Sequence, residues 1–182
     1  MHRGASGKCN CPPSRLTFAD DNEHTGESDL NDQSSTAGRP DREQLRAHRQ
    51  IFWDAWQKAQ ADLPLDALQV RIARVIALHP EYHHYFNDLE DFLDRDFEVD
   101  NGMNPYLHLS LHLALEEQVA IRQPPEVANC LEFLMTRKGL ERHDALHAIL
   151  EVLAETVYFA QRKGGEPDVP AYAAGVKRLM QS

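Results

Sequence analysis

The stretch Asn104 to Gln118, NPYLHLSLHLALEEQ, constrains the fold more than any other part of the chain. Asn101-Gly102 and Asn104-Pro105 are turn signals. Asn104 is placed as a helix cap and Pro105 at the first helical position, where a missing N–H costs nothing. With Leu107 set to zero and about 100° per residue, Leu111, Leu115 and Val119 fall at roughly 40°, 80° and 120°. Leu109, Ala120 and Leu113 fall at roughly 200°, 220° and 240°. His108, His112 and Glu116 lie at roughly 100°, 140° and 180°, between these apolar groups. Ser110, Glu117 and Gln118 form a separate edge that can face water. A helix built this way must pack on both sides, so its His-His-Glu stripe points into the protein. An ionised Glu there is costly unless it is paired or bound to metal.

A second stretch, His143 to Glu155 (HDALHAILEVLAE), repeats the spacing with His143, His147 and Glu151. Residues at i, i+4 and i+8 share one face of a helix. Asp144 and Glu155 fan out beside that stripe, and almost everything else on the helix is apolar. The stripe is therefore either the only wet face of this helix or the second half of a shared site. Seven of the ten histidines lie between His79 and His147.

Imidazole and carboxylate together are ligands for iron, zinc or manganese. All six groups on one ion would leave no open position. Two ions bridged by Glu116 or Glu151 would leave room for water, dioxygen or substrate. The segment HPEYH adds His79 and His83 as further candidate ligands, with His84 behind them; Pro80 ends or kinks the helix before it at His79. The shared-site reading expects the two helices side by side, with ring nitrogens of His112 and His147 within about 5 Å of each other, since ligation distances are near 2.0–2.2 Å. Glu116 and Glu151 are then within one turn of them, and Glu155 lies outside. Two other readings stay open. One is an interaction or scaffold protein whose buried His–Glu network holds no metal; the other is a pH-responsive histidine cluster.

The rest of the chain predicts an all-α fold, an irregular helical bundle of about six to seven helices over residues 41–182, preceded by a disordered tail over 1–40 that is poor in large apolar residues. Asp41 with Gln44 reads as a capping box opening the first helix. Leu45, His48, Ile51, Phe52, Ala55, Trp56 and Ala59 have helical spacing, with Arg46, Arg49, Gln50 and Lys58 towards water. A second helix begins near Pro64 or Leu65. A third, Tyr82 to about Phe97, is strongly acidic and reads as a solvated face; either it or the tail could contact a basic protein partner. A fifth follows Pro124-Pro125, a sixth runs from about Glu141 to Arg162 before Gly164-Gly165, and a short last one follows Asp168. Nucleophilic catalysis is not expected: Ser110 points away from His108 and His112, and Cys130 reads as a small core residue.

A net charge of −10 argues against nucleic acid as the main partner, since phosphate binding needs a basic surface. No stretch reaches the roughly 20 apolar residues of a membrane span, and the N-terminus lacks the apolar core of a secretory signal. Three cysteines are not a disulfide framework, so the cytoplasm is the expected compartment. Cys9 and Cys11, beside His2, read as a chance or redox-inert tail pair, with binding of a soft metal as the alternative.

The blocks HPEYH, NPYLHLSLHLALEEQ, QPP, HDALHAILEVLAE and AQRKGGEPD, in this order, resemble a bacterial family catalogued as domain of unknown function number 1841. The resemblance covers roughly Asp41 to Leu179. It implies a protein of proteobacterial type and brings no activity with it. In ligand type alone, the His-x3-His and His-x3-Glu pairs are similar to those of hemerythrin-like bundles. They depart from the Glu-x-x-His pairs of ferritin-like di-iron proteins and from the zincin pattern, because Asp144 stands where that pattern has Glu.

Overall fold

The computed structural model describes residues 42–95 and 104–181. Every regular element in them is helical. In order they are α1 (Arg42–Gln60), α2 (Ala67–Ala77), a 3-10 helix (Pro80–Asn87), α3 (Leu89–Asp94), α4 (Pro105–Ile121), α5 (Pro125–Arg137), α6 (Arg142–Lys163) and α7 (Val169–Leu179). The expected tail, the Asp41 cap and the Asn101-Gly102 turn lie outside the described residues. Among the described residues, no helix is long and apolar enough to cross a membrane.

Side-chain caps set several boundaries. The Asp66 carboxylate accepts from the N–H groups of Leu68 and Gln69, and the Gln69 side chain accepts from the Asp66 N–H. This capping box starts α2 at Ala67, two or three residues later than Pro64 or Leu65 suggested. The acidic third helix is two elements. Asp88 is extended (φ −133°, ψ 117°) and its side chain accepts from the Asp91 N–H, which ends the 3-10 helix and starts α3. Asn104 caps α4 through the Leu107 N–H, with Pro105 at the first position. Gly164 ends α6 at φ 63°, the left-handed conformation that costs glycine nothing.

Two apolar cores form, and α4 separates them. One joins Phe52, Ala55 and Trp56 of α1, Ile72, Val75 and Ile76 of α2, Phe86, Phe92 and Leu93, and Leu109 of α4. The other joins Leu111 and Leu115 of α4 to α5, α6 and α7. Leu109 and Leu111 thus face different bodies, as the two apolar groups on the helical wheel require. The stripe between them lies along the seam where the cores meet. Behind α6, Gly175 of α7 leaves no room for a side chain: a Cβ there would stand 2.6 Å from Val152 Cγ1.

Arg49 does not face water. It is only 4% exposed, and its Nη1 donates to the carbonyls of Leu93 (2.8 Å), Arg95 (2.9 Å) and Phe92 (3.3 Å). The last carbonyls of a helix lack intrahelical donors, and Arg49 supplies them for α3. Its guanidinium also lies 5.5 Å from the Tyr106 ring. A charge read as a mark of exposure is here a buried clamp joining α1, α3 and α4. Arg46, by contrast, is a surface residue, paired with Glu90 at 3.2 Å and with Asp94. Asp91 pairs with Arg95 at 2.6 Å, so the acidic face of α3 is partly neutralised from within. Arg49→Met is expected to lower unfolding stability by about 2–3 kcal/mol, since it orphans buried carbonyls. Arg46→Met should cost less than about 1 kcal/mol, as exposed ion pairs do. Urea unfolding of both variants checks the order; equal losses would refute the clamp.

Candidate metal centre

Three elements converge on the seam. Pro80 prevents helical geometry at His79, which sits at φ −122°, ψ 67° between α2 and the 3-10 helix. The bend turns the His79 ring inward, where it has no solvent exposure. Its Nδ1 lies 2.7 Å from the Val75 carbonyl oxygen. A carbonyl can only accept, so Nδ1 carries the proton and Nε2 presents its lone pair. From α4, His108 places Nε2 3.0 Å from His79 Nε2; from α6, His147 places Nε2 3.3 Å from it. The His112 ring centroid lies 4.6 Å from that of His79, 4.7 Å from His147 and 4.9 Å from His108. One ring nitrogen from each of His79, His108, His112 and His147 lies within 4.8 Å of the others. Nitrogens about 2.0–2.1 Å from a common ion stand roughly 3–4 Å apart. The four nitrogens thus stand close to the spacing that a common ion requires.

His112 carries the most informative atom. The residue is 1% exposed, and its Nε2 is buried with no hydrogen-bond partner among the described residues. Leaving such an atom unsatisfied costs about 1–3 kcal/mol. Burial, then the neighbouring imidazoles, pushes His108 down to about 3 and His112 lower still. Burial and the adjacent His143 push His147 down to about 4, and burial lowers His79. All four rings are neutral at pH 7, which is the form that binds metal.

Of the other residues named from the sequence, His143 joins the cluster. Its ring centroid is 4.3 Å from His147, 4.8 Å from His79 and 5.3 Å from His112. Glu116 is turned to Arg142, which donates from Nη1 to Oε1 at 2.5 Å and from Nη2 to Oε2 at 2.6 Å. That guanidinium holds the Glu116 carboxyl below the ordinary carboxylate range. Glu151 and Glu155 are exposed on α6. His83 donates from Nε2 to the Ile76 carbonyl at 3.0 Å and packs on Trp56 at 4.5 Å, while His84 is exposed beside Tyr85. The structure thus gathers five imidazoles without bringing Glu116 or Glu151 among them. Ser110 donates to the Tyr106 carbonyl. Cys130 is fully buried, and burial pushes its thiol up to about 11, which leaves it unreactive.

Two neighbours escaped the sequence reading. Tyr82 stacks on His79 with centroids 5.7 Å apart and planes 7° off parallel. Arg142 precedes His143 directly, and a signal for it existed: if the stripes face each other, the residue before His143 stands opposite the one a turn beyond His112. Glu116→Gln is expected to cost about 1 kcal/mol of stability, as for a partly exposed ion pair, with no change in metal stoichiometry. Loss of bound metal in that variant would make Glu116 a ligand instead.

Fold and site together define an all-helical protein with a buried imidazole cluster on the seam between two cores. The family model described as Domain of unknown function (DUF1841) matches residues 42–178, and the chain belongs to that family. No curated protein and no solved structure matches it.

Proposed function

We propose that this is a transition-metal-binding protein whose centre is held by His79, His108, His112 and His147. The observation that carries the reading is the His112 Nε2, buried and unpartnered among the described residues in the midst of three other imidazoles. Such an atom in a core is explained by an occupant that accepts its lone pair. The Val75 carbonyl supports the same reading, because it fixes the His79 tautomer as outer-sphere partners of metal-bound histidines do. A neutral all-nitrogen set suits zinc, iron, nickel or copper. Manganese prefers oxygen ligands and fits less well while Glu116 is engaged by Arg142. Elemental analysis of protein purified without a His tag tests this. One equivalent of a transition metal per chain, as isolated or after reconstitution, is expected; none above background after reconstitution would overturn it.

The second reading is a metal-free hydrogen-bonded network in a scaffold or interaction protein. The His79–His108 and His79–His147 contacts, both of hydrogen-bond length, favour it. It leaves His112 Nε2 unexplained, and for that reason we place it second.

A further inference from the structure

We infer that His143 is a fifth ligand, through Nδ1, and that the centre takes an ion able to bind five or six groups, with water in the remaining position. This rests on the four-histidine reading above and extends it. The His143 ring adjoins the other four: its centroid lies within 5.3 Å of those of His79, His112 and His147, while the tightest nitrogen group is that of the other four, so that ligation needs the His143 ring to close in. His143 Nδ1 is buried and has no hydrogen-bond partner among the described residues, the same condition as His112 Nε2. A second orphaned nitrogen in one cluster asks for the same occupant, since each costs about 1–3 kcal/mol if left alone. Either imidazole nitrogen can ligate a metal.

Five imidazoles exceed the tetrahedral complement of a closed structural zinc site. The surplus selects an ion such as Fe(II), Co(II) or Ni(II), which accepts more than four nitrogens. His79, His108 and His112 are buried, whereas His143 and His147 are only partly so, beside the exposed Asp144. The cluster is therefore least buried at the N-terminal turn of α6, the side from which water would fill a remaining position. Arg142 and Glu116 fasten that turn to α4 and hold His143 against the cluster.

Co(II) loaded into the untagged, metal-free chain reads the coordination number directly. The expected visible spectrum is the weak one of five- or six-coordinate Co(II), with five hyperfine-shifted imidazole N–H resonances in the proton NMR spectrum. In His143→Gln, and in His143→Ala as a second variant, the visible bands should shift as one nitrogen ligand is lost from the ion. One N–H resonance should disappear, with one Co(II) per chain retained and the helical circular dichroism unchanged. Intense four-coordinate bands in the unmodified protein, or spectra unmoved by either substitution, would overturn the fifth ligand and leave the four-histidine centre standing. No Co(II) bound to the unmodified protein would overturn both.

Discussion

As pH falls below 6.5, the metal-free protein is expected to lose stability steeply and to unfold cooperatively before it reaches about pH 4. The physical cause is the buried, neutral state of its histidines. An unfolded histidine takes up a proton near pH 6.5, whereas folded His147 holds off to about 4 and folded His108 to about 3. Between those values the unfolded chain binds more protons than the folded one, so acid favours unfolding. The sign is that of a depressed folded-state pKa: the stability is fully present above 6.5 and is lost as pH falls towards the folded values. Each such histidine contributes up to about 1.4 kcal/mol per pH unit inside its window, and His79 and His112 shift in the same direction. Carboxylates act elsewhere. Glu116, held down by Arg142, loses its contribution only as pH falls below its ordinary value. Circular dichroism against pH separates the two: a midpoint between 6 and 4 is the histidine signature, and a flat profile down to pH 4 would refute it. Bound metal should move the midpoint to lower pH, because protons must then displace the ion.

The substitution His112→Leu is expected to act in opposite directions on the two forms. In the metal-free protein it removes an orphaned buried nitrogen, which costs about 1–3 kcal/mol, and replaces it with an apolar side chain of similar size. Stability should therefore rise, by about 1 kcal/mol once imperfect packing is allowed for. Metal affinity should fall by more than the roughly 10–100-fold that follows loss of an outer-sphere partner. A structural histidine satisfied by a network gives another pattern: its loss destabilises the protein, with or without metal. Urea unfolding of both forms distinguishes the two, and a destabilised metal-free His112→Leu would count against the ligand role.

Much of this architecture was legible in the sequence, for identifiable reasons. The wheel of α4 carries two apolar groups with His108 and His112 between them, and the structure has two cores with those histidines on the seam. Asn104, Pro105, Gly164 and Asp168 marked helix ends because caps depend on one or two residues of fixed chemistry. Periodicity is blind to what a long side chain does at its tip. Arg49 read as solvent-facing because it is charged, yet it caps α3 from 43 to 46 positions away. Glu116 shares a stripe with His112, but which partner its carboxylate meets depends on Arg142, 26 positions along the chain. His79 belongs to neither paired motif. Its place in the cluster comes from the bend at Pro80, which the sequence locates without giving its direction. Ile51 sat on a predicted apolar face but is exposed, because the buried face of α1 runs through Arg49, Phe52, Ala55 and Trp56.

If the imidazole cluster binds an ion in the native state and not in the unfolded one, the ion must stabilise the fold. Thermal unfolding of untagged protein at pH 7, with and without a transition metal, measures this directly. A ligand at roughly 100–1,000 times its dissociation constant stabilises the native state by about 2.7–4.1 kcal/mol. In a domain of this size that raises the melting temperature by roughly 10 °C. A rise of that order is expected with zinc, cobalt or nickel, reversed by EDTA and absent in His112→Leu. An unchanged melting temperature with every metal, or an equal rise in His112→Leu, would contradict it.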